Sequence, residues 1–175
     1  MDVFAHTLWA NAGARRVNKT LQKKNKKPLS VIWTAFWGVF PDLFAFGIPM
    51  AISIFSLITG NTALGNISHH GLSGQHGLSA ELYNYSHSLV VFSVSFVGGW
   101  LILKRPPYEL LGWALHVLID IPTHRLNFYP TPFLFPISEY RFPYGISWGD
   151  RWFMIVNYAA LALVFIPHFL KNKQK

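Results

Sequence analysis

The sequence predicts an all-α fold: a polytopic membrane bundle of about four transmembrane helices with a short, half-buried helix at the N-terminus. Three observations carry this expectation. Charged residues make up only 13% of the 175 positions, about half the roughly 25% usual for soluble domains. Hydrophobic residues reach 51% and aromatic residues 17%. Several apolar stretches approach or exceed the roughly 20 residues needed to cross a bilayer, and the basic residues gather at one set of their ends. The formal charge of +8 is concentrated in Arg15, Arg16, Lys19, Lys23, Lys24, Lys26 and Lys27, and in the tail Lys171, Lys173 and Lys175. Beside apolar spans, such runs are better explained by topology and anionic headgroups than by nucleic acid.

The elements follow in order. "MDVFAHTLWANAGARR" has no positive region ahead of its apolar part, so no cleaved signal peptide is expected. Its first thirteen residues are too short to span and read as a half-buried helix running down to the basic segment, 15–30. Residues 31–59, "VIWTAFWGVFPDLFAFGIPMAISIFSLIT", are long enough to cross, although Pro41 and Pro49 interrupt them and Asp42 lies mid-way. Residues 60–86 read as a polar, Gly- and His-rich loop. Residues 88–103, "SLVVFSVSFVGGWLIL", form a shorter span ending at Lys104 and Arg105. Pro106 and Pro107 break it, and 108–121 start a third span. The Pro- and aromatic-rich 122–150 reads as an ordered interfacial loop, and 152–170 is the last span. The positive-inside rule places 15–27, Lys104-Arg105 and the lysine tail in the cytoplasm, with both termini, and the two loops opposite. The whole chain, 1–175, reads as one integral-membrane domain. Without cysteine, disulfides and thiolate metal sites are excluded.

The chemistry concentrates in "GWALHVLIDIPTHR". His116 and Asp120 are four apart, so they differ by about 40° around a helix and share a face. His124 continues that face, but Pro122 interrupts the helical geometry before it. A His and an Asp on one face inside a membrane read by default as a functional site; the plain alternative is a hydrogen bond joining two helices. Depth favours a site. At 1.5 Å per residue, His6, Asp42, His116 and Asp120 lie roughly 13, 18, 13 and 19 Å above the cytoplasmic boundary. Four groups from three segments thus converge, and His87 enters from the far side. Imidazole and carboxylate without thiolate suit Zn²⁺ or another divalent metal. His69, His70 and His76 sit in a Gly/Ser context with no rigid spacing. Glu139, Asp150 and Arg125 are candidates for the entrance or for a substrate phosphate, and His168 for the membrane surface. No Gly-rich phosphate loop or nucleophile elbow is present.

The succession "AHT", "FPDL", "YSHS" and "GWALHVLIDIPTH" resembles the bacterial membrane-bound metal-dependent hydrolases, a multi-span inner-membrane family. That pattern is in turn remotely similar to zinc-dependent phospholipase C, an all-helical fold with a cluster of zinc ions. The resemblance covers most of residues 1–125. It implies metal ligation by His6, Asp42, His87, His116 and Asp120, with His124 as a further match, one to three ions, and a place in the bacterial inner membrane. The later His and Glu ligands of the phospholipase pattern have no counterpart here, and no N-terminal amine ligand is assigned. This favours one or two ions over three.

The leading expectation is therefore a membrane-embedded metal-dependent hydrolase acting on a lipid or other amphiphilic phosphoester through a metal-activated water. Asp42 or Asp120 would serve as general base as well as ligand. The alternatives are a metal or proton carrier using the same cluster as a relay, or a membrane scaffold with a structural metal site. Expected partners are membrane lipid and an amphiphilic small molecule, not nucleic acid.

Overall fold

A computed structural model describes residues 1–61 and 77–172, with side chains described up to residue 167. His69, His70 and His76, and the side chain of His168, lie outside the described residues. The elements are α1 (Val3–Lys23), α2 (Val31–Asp42), a π turn (Leu43–Gly47), α3 (Ile48–Thr59), α4 (Leu78–Ser86), α5 (Leu89–Leu103), a 3₁₀ turn (Tyr108–Leu110), α6 (Leu111–Thr123) and α7 (Arg151–Asn172). The fold is all-helical, with no strand among the described residues.

Asp2 caps α1, its carboxylate accepting from the Ala5 amide at 3.0 Å, and the helix then runs on through the basic segment to Lys23. Lys and Arg are good helix formers, so charge does not end the helix where apolar patterning ends. Asn18 fastens the return: its side chain accepts from the Leu29 amide at 2.7 Å and donates to the Leu29 carbonyl at 2.9 Å. Ser30 then caps α2. Pro41 does not stop the chain. A π turn absorbs the disturbance, and Val31–Thr59 forms one apolar helical run of 29 residues, long enough to cross a membrane.

Two differences from the sequence reading have physical causes. Residues 78–86 are helix α4 rather than loop, because the buried face of α4 is Ser79, Tyr83 and Ser86, which carries no aliphatic periodicity. The stretch read as the second span, 88–103, is helix α5 with its cap, but it is joined to α4 at a 61° bend occupied by Ser86, His87 and Ser88, all buried. Ser88 caps α5, accepting from the Val90 and Val91 amides at 3.1 Å each, and its hydroxyl also donates to the Phe135 carbonyl.

The core is the stack of α1, α2 and α6, and it depends on missing side chains. A Cβ at Gly38 would overlap the Ala10 Cβ and approach the His6 carbonyl of α1, while one at Gly112 would overlap the Thr34 carbonyl of α2. Small residues at both crossings let the backbones touch, as in membrane helix packing. The chain between α6 and α7 is irregular but pinned: the Ile146 amide donates to the Pro122 carbonyl at 2.8 Å and the Trp148 amide to that of Thr123 at 3.0 Å. α7 docks on α1 through Trp9 Nε1–Asn157 Oδ1, 2.8 Å, and Tyr158 Oη–Asp2 Oδ1, 2.8 Å. By contrast α5 buries no residue, and Val94 and Ile102 are 70% and 80% exposed, so its apolar surface is left uncovered by the described residues.

The crossings give a first prediction. Gly38→Ala and Gly112→Ala each force helices apart and lower stability by about 1–3 kcal/mol, the usual cost of overpacking. Gly98→Ala, where no atom lies near the added carbon, is the control. Thermal unfolding of the detergent-solubilised variants reads the difference.

Candidate metal centre

The crossings also set a level. His6 lies one turn from Ala10, Asp42 one turn from Gly38, and His116 one turn from Gly112, so tight contact at the small residues brings three polar side chains to a single height. His87 arrives at that height from the α4–α5 bend, and Asp120 from the next turn of α6. His6, His87, His116 and Asp120 are at most 1% exposed, His124 is 7% and Asp42 9%. The structure thus brings together all six side chains singled out in the sequence. Glu139, Asp150 and Arg125 stay outside: Arg125 and Asp150 pair with each other at 2.7 Å in a partly exposed position.

The imidazoles are held in one orientation. His116 Nδ1 lies 2.8 Å from the Gly38 carbonyl and His124 Nδ1 lies 2.9 Å from the Tyr129 carbonyl. Carbonyls only accept, so both Nδ1 atoms carry the proton. Ser86 Oγ lies 2.9 Å from His87 Nδ1 and 3.5 Å from the Tyr83 carbonyl, and so fixes the orientation of the His87 ring. Tyr83 supports two of these rings: it stacks on His87 with centroids 3.7 Å apart, and its hydroxyl lies 2.8 Å from His124 Nδ1 while donating to the Tyr129 carbonyl. Burial, only partly offset by Asp120, pushes His124 down to about 4, so its ring is neutral at pH 7.

With the Nδ1 atoms of His116, His124 and His87 engaged in this way, their Nε2 atoms turn inward. His87 Nε2 and His116 Nε2 are 3.0 Å apart. Asp120 Oδ2 is 3.1 Å from His116 Nε2 and 3.6 Å from His87 Nε2, and Asp42 Oδ1 is 3.5 Å from His87 Nε2 and 3.7 Å from His116 Nε2. Acceptors facing acceptors repel unless a metal cation or a proton lies among them. Ligands about 2.0–2.1 Å from a tetrahedral ion are about 3.3 Å from one another, and these five separations scatter around that edge length. Asp120 Oδ2 and both ring nitrogens of His6 also lack a hydrogen-bond partner. Two sets, His6–Asp42–His116 and His87–His116–Asp120, bring their ligand atoms within 4.8 Å of one another. The buried His/Asp groups can therefore hold a metal ion, with His116 common to both sets.

Asp120 Oδ1 faces the other way. It lies 2.5 Å from the amino group of Met1 and 3.0 Å from His6 Nε2, and that amino group is 3.2 Å from His124 Nε2. The sequence reading missed the amine. The signal that could have found it is the Asp2 cap, which starts α1 directly beneath the cluster. Tyr83 and Tyr129 were missed as well; neither stands at a spacing that relates it to the six.

Two cavities adjoin the centre. One, of about 260 Å³, reaches Asp42, His124 and Met1 and is otherwise walled mainly by apolar groups such as Val3, Phe46, Phe128 and Trp148. The second, of about 200 Å³, shares Tyr83 and Tyr129 with it and contains Arg141. Comparison with protein-family models, curated proteins and solved structures gives no match to this chain. The chemistry must be read from the geometry.

Chelator-stripped protein is expected to take up a divalent ion such as Zn²⁺ in a calorimetric titration. Tyr83→Phe, which removes an orienting hydroxyl, weakens uptake by about 10–100-fold, the usual cost of an outer partner. His116→Ala, which removes a ligand atom, costs more. Equal uptake by His116→Ala and the parent chain would exclude a metal at this cluster.

Proposed function

We propose that the chain is a polytopic membrane enzyme, a metal-dependent hydrolase acting on a lipid or other amphiphilic phosphoester. The observation that carries this is the cavity of about 260 Å³ that reaches Asp42 and His124. A purely structural metal site is closed, whereas a catalytic one keeps an open position. The apolar walls of this cavity suit a substrate with an apolar part. A carrier needs a way out on the other side. The two cavities there, about 410 Å³ between α1, α2 and α6 and about 630 Å³ beside Lys27, Arg105 and Glu109, are lined by none of the six candidate ligands.

The assignment of roles follows from position. His87, His116 and Asp120 form the inner wall, and the nitrogen and oxygen set suits Zn²⁺. An ion bound there would supply activation of water and polarisation of a phosphoryl oxygen. Both carboxylates are candidate bases, and the cavity separates them. Asp42 lines it, whereas Asp120 is completely buried and does not. We therefore assign Asp42 to accept the proton of the attacking water and Asp120 to hold the imidazoles and the ion. Tyr129, through its carbonyl, keeps His124 at the cavity wall.

The membrane assignment rests on surface chemistry. Val31–Thr59 is long and apolar enough to cross, and α4 with α5 supplies a second, bent crossing. With α6 and α7 this makes four passages, in a bacterial inner membrane, with both termini and the basic end of α1 cytoplasmic. The exposed apolar faces of α3, α5 and α7 then meet lipid. The irregular 124–150 stretch can lie at membrane depth because it is bonded onto α6 and the α4–α5 bend. The resemblance to the membrane-bound metal-dependent hydrolases and, more remotely, to zinc-dependent phospholipase C supports the same reading.

Two measurements test it. Incubated with a panel of lipid phosphoesters, the metal-loaded protein releases product, and Asp42→Asn lowers kcat per bound ion by about 10²–10⁴-fold, the range for a lost general base. A metal-replete protein inert on the whole panel would overturn the hydrolase. For topology, the absence of native cysteine permits clean labelling: Lys24→Cys reacts with an impermeant maleimide only from the cytoplasmic side, Tyr144→Cys only from the other. Labelling of both from one side would overturn the four-pass arrangement.

A further inference from the structure

Arg125 and Arg141 lie in the same irregular stretch, yet they are treated differently. Arg125 is neutralised by Asp150 at 2.7 Å. Arg141 makes no ion pair among the described residues. It is anchored by neutral acceptors instead: Nη1 donates to the Glu139 carbonyl at 2.9 Å and to that of Tyr140 at 3.4 Å, and Nη2 to Asn84 Oδ1 at 3.4 Å. These bonds orient the guanidinium without cancelling its charge. They leave Nε–H and one Nη2–H without a protein acceptor among the described residues.

That group lines a polar cavity of about 200 Å³ whose other walls include Asn84, Pro130, Tyr83 and Tyr129. Tyr83 and Tyr129 also wall the apolar cavity at the metal centre, so the two spaces are neighbours across one pair of aromatic rings. Tyr129 has a positive φ of 45°, a conformation uncommon away from glycine and asparagine. It is kept there by bonds from Tyr83 and His124 to its carbonyl. A rigid divider thus joins a cationic pocket to an apolar one.

We propose that the Arg141 pocket is a phosphate-binding subsite, which seats the anionic end of an amphiphile while the neighbouring cavity takes its apolar part beside the cluster. Guanidinium edges match phosphate oxygens two at a time. The placing of this phosphate on a substrate rests on the hydrolase reading; the binding site itself does not, and the test separates them.

The full chain in detergent is titrated with dihexanoyl phosphatidic acid, with dihexanoylglycerol and with inorganic phosphate, followed by tryptophan fluorescence or calorimetry. Each titration is made on metal-loaded and on chelator-stripped protein. The phosphate-bearing lipid binds more tightly than the neutral diacylglycerol in both forms. Arg141→Gln weakens it about tenfold or more, as expected for loss of a charge-assisted pair, while metal content is unchanged. Asn84→Asp, which sets a carboxylate beside the guanidinium, has the same effect in a chain that keeps Arg141. Tight binding of inorganic phosphate that is lost in Arg141→Gln assigns the pocket to free phosphate; preference for the lipid form assigns it to a headgroup. If both variants bind the phosphate lipid as the parent does, or if Arg141→Gln lowers only the melting temperature, Arg141 is a loop fastener and the subsite is wrong. Protein that binds phosphate through Arg141 yet takes up no metal retains the subsite and overturns the hydrolase alone.

Discussion

An ionised carboxylate taken wholly out of water costs several kcal/mol unless charges and donors replace its hydration. Asp120 is completely buried, and most of the interior can be read as its compensation. On the Oδ1 side stand the amino group of Met1, the Thr123 hydroxyl at 3.4 Å and His6. The Oδ2 side has His87 and His116 but no hydrogen bond. The asymmetry is informative. If the cluster existed only to bury Asp120, the cheapest solution would turn an N–H of a neighbouring histidine toward Oδ2. Instead the Gly38 and Tyr129 carbonyls hold the Nδ1 protons of His116 and His124 away from it. Such a network is stable only with positive charge between its acceptors.

The backbone geometry that makes this possible is equally specific. A cluster fed by α1, α2 and α6 needs those helices close enough for short side chains to meet. Asp, unlike Glu, cannot reach across an ordinary separation of 8–10 Å between helix axes. Ala10, Gly38 and Gly112 remove that separation, and the polar residues stand one turn away in each helix. The same small residues therefore serve packing and chemistry, because the site can only be as tight as the crossing beneath it.

These relations explain what the sequence revealed. His116 and Asp120 are legible because the 3.6-residue period fixes their relative angle whatever surrounds the helix. His6 and Asp42 follow from counting rise per residue from the basic boundary, which the expected bilayer would make a common reference plane. His124 follows less directly: Pro122 sits inside α6, yet the helix continues to Thr123 and the His124 amide still bonds to the Asp120 carbonyl at 3.1 Å. The end of α6 is kept regular by loop bonds from Ile146 and Trp148 that no local pattern announces. The helical nature of 78–86 was hidden by a buried face of Ser and Tyr. The irregular stretch, placed by long-range bonds such as those of Ile146 and Trp148, was legible only as composition.

That stretch decides what kind of site this is. Helices α1, α2 and α6, with His87 from the bend, would by themselves bury a charged cluster between apolar walls. The 124–150 segment adds the polar side: the Tyr129 carbonyl that orients His124, the divider between two cavities, and a guanidinium that makes no ion pair among the described residues. A buried centre needs rigid elements because its ligand spacing tolerates little error, whereas recognition of a mobile amphiphile needs surface that can be shaped residue by residue. Regular helices supply the first and pinned irregular chain the second. On the proposed reading, Arg141, which makes no ion pair among the described residues, meets its counter-charge in the bound anion, since an uncompensated half-buried charge is a cost without one.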